Sequence, residues 1–204
     1  MGLSADALRA GVDALAACEP AFARALGRAG YPEPRLRDPG YETLLRTIVG
    51  QQVSVAAAAS IWRKLEAIGD LTDPRVIAGV SDETLRAAGL SRQKAGYAKS
   101  LADEVTSGAL PLHALPADDE EAIAALTRVK GIGRWSAEIY LLFAEGRADI
   151  WPAGDLAVQI EVGRILGLDA RPSEKAVRAL AEPWRPHRGA AAIFAWHHYK
   201  IAVI

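Results

Sequence analysis

The sequence predicts an all-α protein, and three observations carry that prediction. Apolar residues recur at helical spacing in segment after segment, as in SADALRAGVDALAA at residues 4–17. Caps and stops punctuate these segments, with Ser4 and Ser91 before helices and Gly30, Gly89 and Gly108 after them. No stretch alternates apolar and polar residues with period two, and no Asn-Gly or Asp-Gly pair marks a β-hairpin.

The elements follow in order. Helices are expected at 4–17 and, from Pro20, at 20–30; the proline-rich YPEPRLRDPG, residues 31–40, then reads as a linker between lobes. Residues 41–50 and 53–69 form two helices with Gly50, Gln51 and Gln52 at their junction. Further helices are expected at 81–89, 91–108, 118–129, 134–146, 154–167, 173–182 and 188–204. No period marks a repeat array.

A chain of 204 residues, half hydrophobic and 24% charged, has the balance of a soluble folded protein with one large core or two small ones. No apolar run approaches the roughly 20 residues that span a bilayer. Asp6, Arg9 and Asp13 interrupt the N-terminal region where a signal peptide would be apolar, so the expected compartment is the cytoplasm. Cys18 is the single cysteine, which excludes an intramolecular disulfide, a zinc knuckle and a four-cysteine iron–sulfur cluster. The net charge of −1 lacks the global basic signature of many nucleic-acid binders. Its distribution is uneven: residues 171–200 carry six Lys/Arg against two Glu, a local excess of four.

The most informative stretch is VKGIGRW, Val129–Trp135, where Gly131 and Gly133 break two good helices amid Arg128, Lys130 and Arg134. By itself this fits either an ordinary helix corner or an anion site, in which backbone N–H groups and the start of the next helix face a phosphate. Asp155, near the start of the helix expected at 154–167 and just before Leu156-Ala157-Val158, likewise fits either an N-cap or a catalytic carboxylate.

LTRVKGIGRWSAEIYLLF resembles the hairpin of the helix–hairpin–helix DNA glycosylases, and WPAGDLAVQ resembles their Gly/Pro loop and catalytic aspartate. The compact DNA-3-methyladenine glycosylase II group is the nearest branch, with further matches in YETLLRTIVGQQVSVAAAASIW, GLSRQKAGYAKSLA and PWRPHRGAAAIFAWHHY. These ordered motifs run from about residue 40 to about residue 200. The resemblance implies a two-lobed helical bundle, divided into 36–126 and 1–35 plus 127–204, with DNA in a cleft between the lobes.

It also implies a monomeric enzyme that hydrolyses the N-glycosidic bond of alkylated purines in duplex DNA by flipping the base, and that needs no cofactor. Rival readings are a glycosylase for deaminated or mismatched bases and a non-catalytic helix–hairpin–helix module. Asp155 becomes the catalytic residue, and Trp135, Trp196 and Tyr140 the base-pocket residues. Strand-cutting relatives carry lysine at position 135, so Trp135 implies a monofunctional enzyme. Lys130, Gly131, Ile132, Gly133 and Arg134 are expected on DNA, with Gln51 and Gln52 reaching the vacated base position and Ser91 and Lys94 forming a second phosphate contact. The carbonyls of Thr127, Val129 and Ile132 match those that hold a structural Na+ or K+ in the family hairpin. The chain departs from the family at Lys130, where many members carry proline, and at Ile139, where one branch carries a pocket tyrosine. His197 and His198 lack partners at metal spacing and read as packing or solvent residues.

Overall fold

The computed structural model describes residues 2–202. Among them are twelve α-helices and no strand, in two compact units formed by residues up to 38 plus those from 141 onward, and by 39–140.

The first unit opens with α1 (Ala5–Cys18) and α2 (Pro20–Ala29). Ser4 caps α1 by accepting from the Ala7 N–H, and Leu8, Val12 and Leu15 form its buried stripe. Phe22 of α2 meets Trp184 edge-on at 5.0 Å and Phe194 at 5.7 Å. Trp151 meets Trp184 at 5.6 Å, so this core is aromatic as well as aliphatic. Three later helices complete the unit: α10 (Leu156–Leu166), α11 (Glu174–Leu180) and α12 (Arg188–Ala202). α10 packs on α12 and α2, which fixes the residues at its N-terminus.

In the second unit α3 (Tyr41–Gly50) and α4 (Val55–Glu66) flank the residue 51–54 loop. α5 (Pro74–Gly79), α6 (Asp82–Ala87) and α7 (Arg92–Thr106) follow. α7 is the central helix, packed on α3, α5 and α6 through Ala95, Ala98, Leu101 and Ala102. Its small side chains let neighbouring backbones approach closely. α8 (Asp119–Thr127) and α9 (Arg134–Tyr140) form the glycine hairpin. This hairpin falls within the 39–140 unit, whereas the sequence reading grouped residues from 127 onward with the termini. The reason is its anchoring: α9 packs on α3, and the Lys130 N–H donates to Ser100 Oγ of α7 at 3.1 Å.

Two local departures from expectation stand out. α5 was not expected, although Asp73 caps it and Pro74 occupies its first turn. The helix expected over 134–146 is α-helical only to Tyr140 and then widens into a π-helical turn at Leu141–Glu145. That widening coincides with the boundary between the units.

Candidate active site and nucleic-acid interface

Each unit carries one cluster of sequence-predicted site residues. In the 39–140 unit the hairpin buries Val129 and Ile132 and leaves Lys130 and Gly133 exposed. Its two glycines exist for different reasons. Gly131 has φ +86°, and a Cβ there would lie 2.1 Å from Tyr97 Cδ2. A Cβ on Gly133 would meet nothing within 4 Å, so no intramolecular neighbour requires that glycine. What its bareness does provide is unobstructed approach to the backbone at the start of α9.

Gln51 and Gln52 part company. Gln51 Nε2 donates to the Gly131 carbonyl at 2.8 Å, tying the α3–α4 loop to the hairpin. Gln52 is exposed with φ +52°, the one non-glycine residue with positive φ among those described. Such a conformation is retained against a local cost and points outward, beside Val53 and the strongly exposed Val55.

Two predicted cations are held internally. Arg134 makes a two-point pair with Glu120 and a 2.9 Å bond to buried Glu138 Oε1. The Glu120 hydrogen bond, foremost, raises the Arg134 pKa above its ordinary value. This side chain therefore fastens α9 to α8. Lys94 Nζ donates to the Val49 carbonyl at 2.8 Å, and desolvation lowers its pKa. It thus covers a carbonyl at the C-terminal end of α3. Ser91 caps α7 by accepting from the Lys94 N–H at 3.2 Å. Lys130 keeps an exposed side chain.

The three pocket candidates are also distinguished. Trp135 is 47% exposed, so it is not a core tryptophan. Tyr140 is buried, and its hydroxyl accepts from the Gly40 N–H at 2.8 Å just ahead of α3. Trp196 is buried in the other unit, where it serves the carboxylate described next.

Asp155 stands at the N-cap of α10. Its Oδ1 accepts from the Val158 N–H at 3.0 Å and from Trp196 Nε1 at 3.1 Å. The cap role anticipated from sequence is real, and it holds the carboxylate, half-buried, at a helix start. Two N–H donors fix its orientation at the start of the helix. Leu156, the next residue, is 54% exposed. Trp196 is itself held by Phe143, with ring centroids 5.6 Å apart. Further along the same two helices, His198 Nδ1 lies 2.6 Å from Oε2 of the fully buried Glu161, whose Oε1 accepts from Arg164. His197 Nε2 bonds the Ala29 carbonyl. Both histidines are packing residues, and they stiffen the frame around Asp155.

The glycine hairpin and the carboxylate capping a later helix are the two parts on which the resemblance to the helix–hairpin–helix glycosylases rests. Residues 45–186 match the model of the HhH-GPD superfamily base excision DNA repair proteins. The chain belongs to that superfamily. The superfamily match spans the Gln51 loop, the hairpin and Asp155, and stops short of Trp196. This superfamily member is 35% identical over 167 residues to the Schizosaccharomyces pombe DNA-3-methyladenine glycosylase 1, covering 79% of this chain and 73% of that one. It is 31% identical to Escherichia coli DNA-3-methyladenine glycosylase 2, covering 88% and 67%. Among solved structures, a Bacillus halodurans DNA-3-methyladenine glycosidase superposes with a TM-score of 0.87 at 28% identity, covering 95% of this chain and 90% of its own. The S. pombe 3-methyladenine glycosylase in complex with abasic DNA superposes with a TM-score of 0.77 at 30% identity, covering 95% and 97%.

Sequence reasoning missed the surroundings of Trp196. Phe143 lay inside an apolar run with no distinguishing signal. Arg35 and Arg37 did carry one, two cations at alternate positions of the proline-rich linker. Among the described residues no helix is long and apolar enough to cross a membrane.

Proposed function

We propose that the chain is a monofunctional DNA glycosylase, a hydrolase that removes alkylated purines from duplex DNA and leaves an abasic site for base excision repair. The observation that carries this reading is the Asp155 carboxylate, fixed by the Val158 and Trp196 N–H groups in a chain of this superfamily. Methylation at N3 of adenine or N7 of guanine makes the base cationic and a better leaving group. As the glycosidic bond breaks, positive charge grows on the sugar. A carboxylate beside C1′ stabilises that charge and orients water for its attack. The bond is out of reach in a stacked duplex, so the nucleotide is turned out. Trp135, exposed and lacking an amine, offers an indole face to the base and no Schiff-base chemistry. A desolvated cation–π contact contributes about 2 kcal/mol, or about 30-fold. The lability of the alkylated base supplies much of the remaining selectivity.

In this reading a single chain acts on DNA in the cytoplasm. The hairpin takes a phosphate on the backbone around Gly133 and Arg134, and Gln52 reaches the gap left by the base. The carbonyls of Thr127, Val129 and Ile132 are hard oxygen donors suited to Na+ or K+; Val129 O also accepts from the Ile132 N–H at 3.0 Å, which leaves it a second lone pair. A bound cation would brace the hairpin next to the phosphate. Gly133→Ala is expected to keep the wild-type melting temperature, because the methyl meets nothing, and to weaken binding to an abasic-analogue duplex about 10-fold. That corresponds to losing one charge-assisted hydrogen bond of roughly 1.5 kcal/mol. Wild-type affinity in a binding titration would remove Gly133 from the interface.

Base release decides the substrate class. Incubation with methylated DNA is expected to liberate 3-methyladenine and 7-methylguanine, measured by chromatography, while uracil-containing DNA yields nothing. Release of uracil alone would replace this reading with the deaminated-base one. Duplex binding without release of any base would reduce the chain to a binding module.

A further inference from the structure

The linker at residues 31–40 holds two guanidinium groups that the activity described above does not use. The Arg35 and Arg37 guanidinium carbons lie 5.9 and 5.8 Å from the Phe143 ring centroid, and Arg35 lies 5.7 Å from that of Trp196. The Arg37 N–H donates to the Phe143 carbonyl at 2.9 Å, which holds the linker in register with these rings. Residues two apart on an extended segment share a face, and the exposed Leu36 between them faces elsewhere.

Both cations lack the carboxylate partner that several arginines of the same unit have, and unlike the other unpaired ones they lie together over the Phe143 ring. On the same unit, Arg147 pairs with Glu145, Arg164 with Glu161, Arg178 with Glu174, and Arg185 and Arg188 with Asp149. Neither Arg35 nor Arg37 has a carboxylate partner among the described residues. Burial, and after it the like charge of Arg37, lowers the Arg35 pKa, so the two cations stand close enough to repel. An anion between them would relieve that repulsion. A guanidinium lying over an aromatic ring keeps its N–H edge free, the edge that meets two oxygens of a phosphate.

The position is equally specific. Trp196, under Arg35, is the residue whose Nε1 holds Asp155 at 3.1 Å. We propose that Arg35 and Arg37 form a phosphodiester clamp, mounted on the Phe143–Trp196 pair, that holds the backbone of the damaged strand at Asp155. The clamp rests on the glycosylase reading and extends it. The hairpin grips DNA through backbone N–H groups on the 39–140 unit, whereas this site grips it through side-chain charge on the unit that carries the carboxylate. It also answers how a chain of net charge −1 binds a polyanion beside its own carboxylate.

The test is a salt series of binding titrations with an abasic-analogue duplex and an undamaged duplex of the same sequence. For the abasic analogue, Arg35→Ala and Arg37→Ala are each expected to reduce the slope of log K against log salt by about 0.9, and the double variant by about 1.8. Arg35→Lys is expected to restore the slope. The undamaged duplex should show little change, because its backbone is not drawn to Asp155. A wild-type slope in the double variant, an affinity loss with unchanged slope, or equal changes on both duplexes would overturn the clamp. Melting curves identify variants that lose the fold, and the lysine variant then supplies the slope comparison. Asp155→Asn separates the two ideas: if it stops base release while the double arginine variant binds normally, only the clamp falls. If the wild-type chain binds neither duplex, both fall.

Discussion

Asp155→Asn is expected to abolish base release, with a loss of at least about 100-fold in single-turnover rate, while leaving fold and DNA affinity nearly intact. Asparagine keeps an acceptor oxygen where Asp155 Oδ1 now stands, so the Val158 and Trp196 N–H groups retain their partner. It is about as good an N-cap as aspartate, and the lost charge interaction with the helix end is worth roughly 0.3–1 kcal/mol. In the proposed mechanism the transition state would lose the negative charge that faces the developing sugar cation. Removing one preorganised electrostatic group of this kind costs about 100-fold to 1,000-fold in rate. Asp155→Ala would be the poorer experiment. It removes the cap and leaves the largely buried Trp196 Nε1 without an acceptor, a further penalty of about 1–3 kcal/mol. A full rate in Asp155→Asn, in a protein with the wild-type melting temperature, would sink the mechanism.

Much of the fold was legible because its signals are local. Ser91, Asp118, Asp155 and Ser173 each precede a helix and each accepts from the backbone as an N-cap. Gly167 closes α10 in the left-handed conformation. α5 and α6 each have six residues, too few to show a period; α6 is legible from its acidic first turn, which α5 lacks. The π-helical turn was invisible for a different reason: Leu141, Leu142, Phe143 and Ala144 are all buried, and an apolar run buried on every side carries no phase.

The candidate site was legible in residue type and not in role. Gln51 and Gln52 are chemically identical neighbours. What separates them is a carbonyl 80 residues away, at Gly131. Trp135 and Trp196 look alike in the resemblance, yet one indole is exposed and the other is buried against the carboxylate it orients. Arg134 and Lys94 read as cations for DNA until Glu120, Glu138 and the Val49 carbonyl are seen to hold them. Apart from Glu138, one turn along the helix from Arg134, the deciding partners lie well away in sequence. Local pattern supplies the donor and only packing supplies the acceptor.

Gly131→Ala is expected to be the most damaging small substitution in the hairpin, lowering stability by about 3 kcal/mol in a denaturant titration. Two penalties add. An L-residue at φ +86° carries a backbone cost of roughly 1–2 kcal/mol. The new methyl would also sit 2.1 Å from Tyr97 Cδ2, 2.4 Å from Cγ and 2.6 Å from Cε2. A ring face cannot bend aside as the tip of a long chain can, and overpacking of this kind costs about 1–3 kcal/mol. The ring is further fixed because Gln93 Nε2 bonds its hydroxyl. Moving the hairpin off Tyr97 would stretch both the Gln51 bond to the Gly131 carbonyl and the Lys130 bond to Ser100. Duplex binding is therefore expected to fall along with stability. A double-mutant cycle separates the two penalties: Tyr97→Ala in the Gly131→Ala background should recover the steric share and leave the backbone share, a coupling of about 1–3 kcal/mol. Additive effects in that cycle would mean that the ring is not what excludes a side chain at position 131. A change below about 0.5 kcal/mol for Gly131→Ala alone would mean that the turn relaxes at no cost. Against this, Gly133→Ala two positions on should be silent in stability and visible only in DNA binding. That contrast assigns one glycine of the pair to the fold and the other to the ligand.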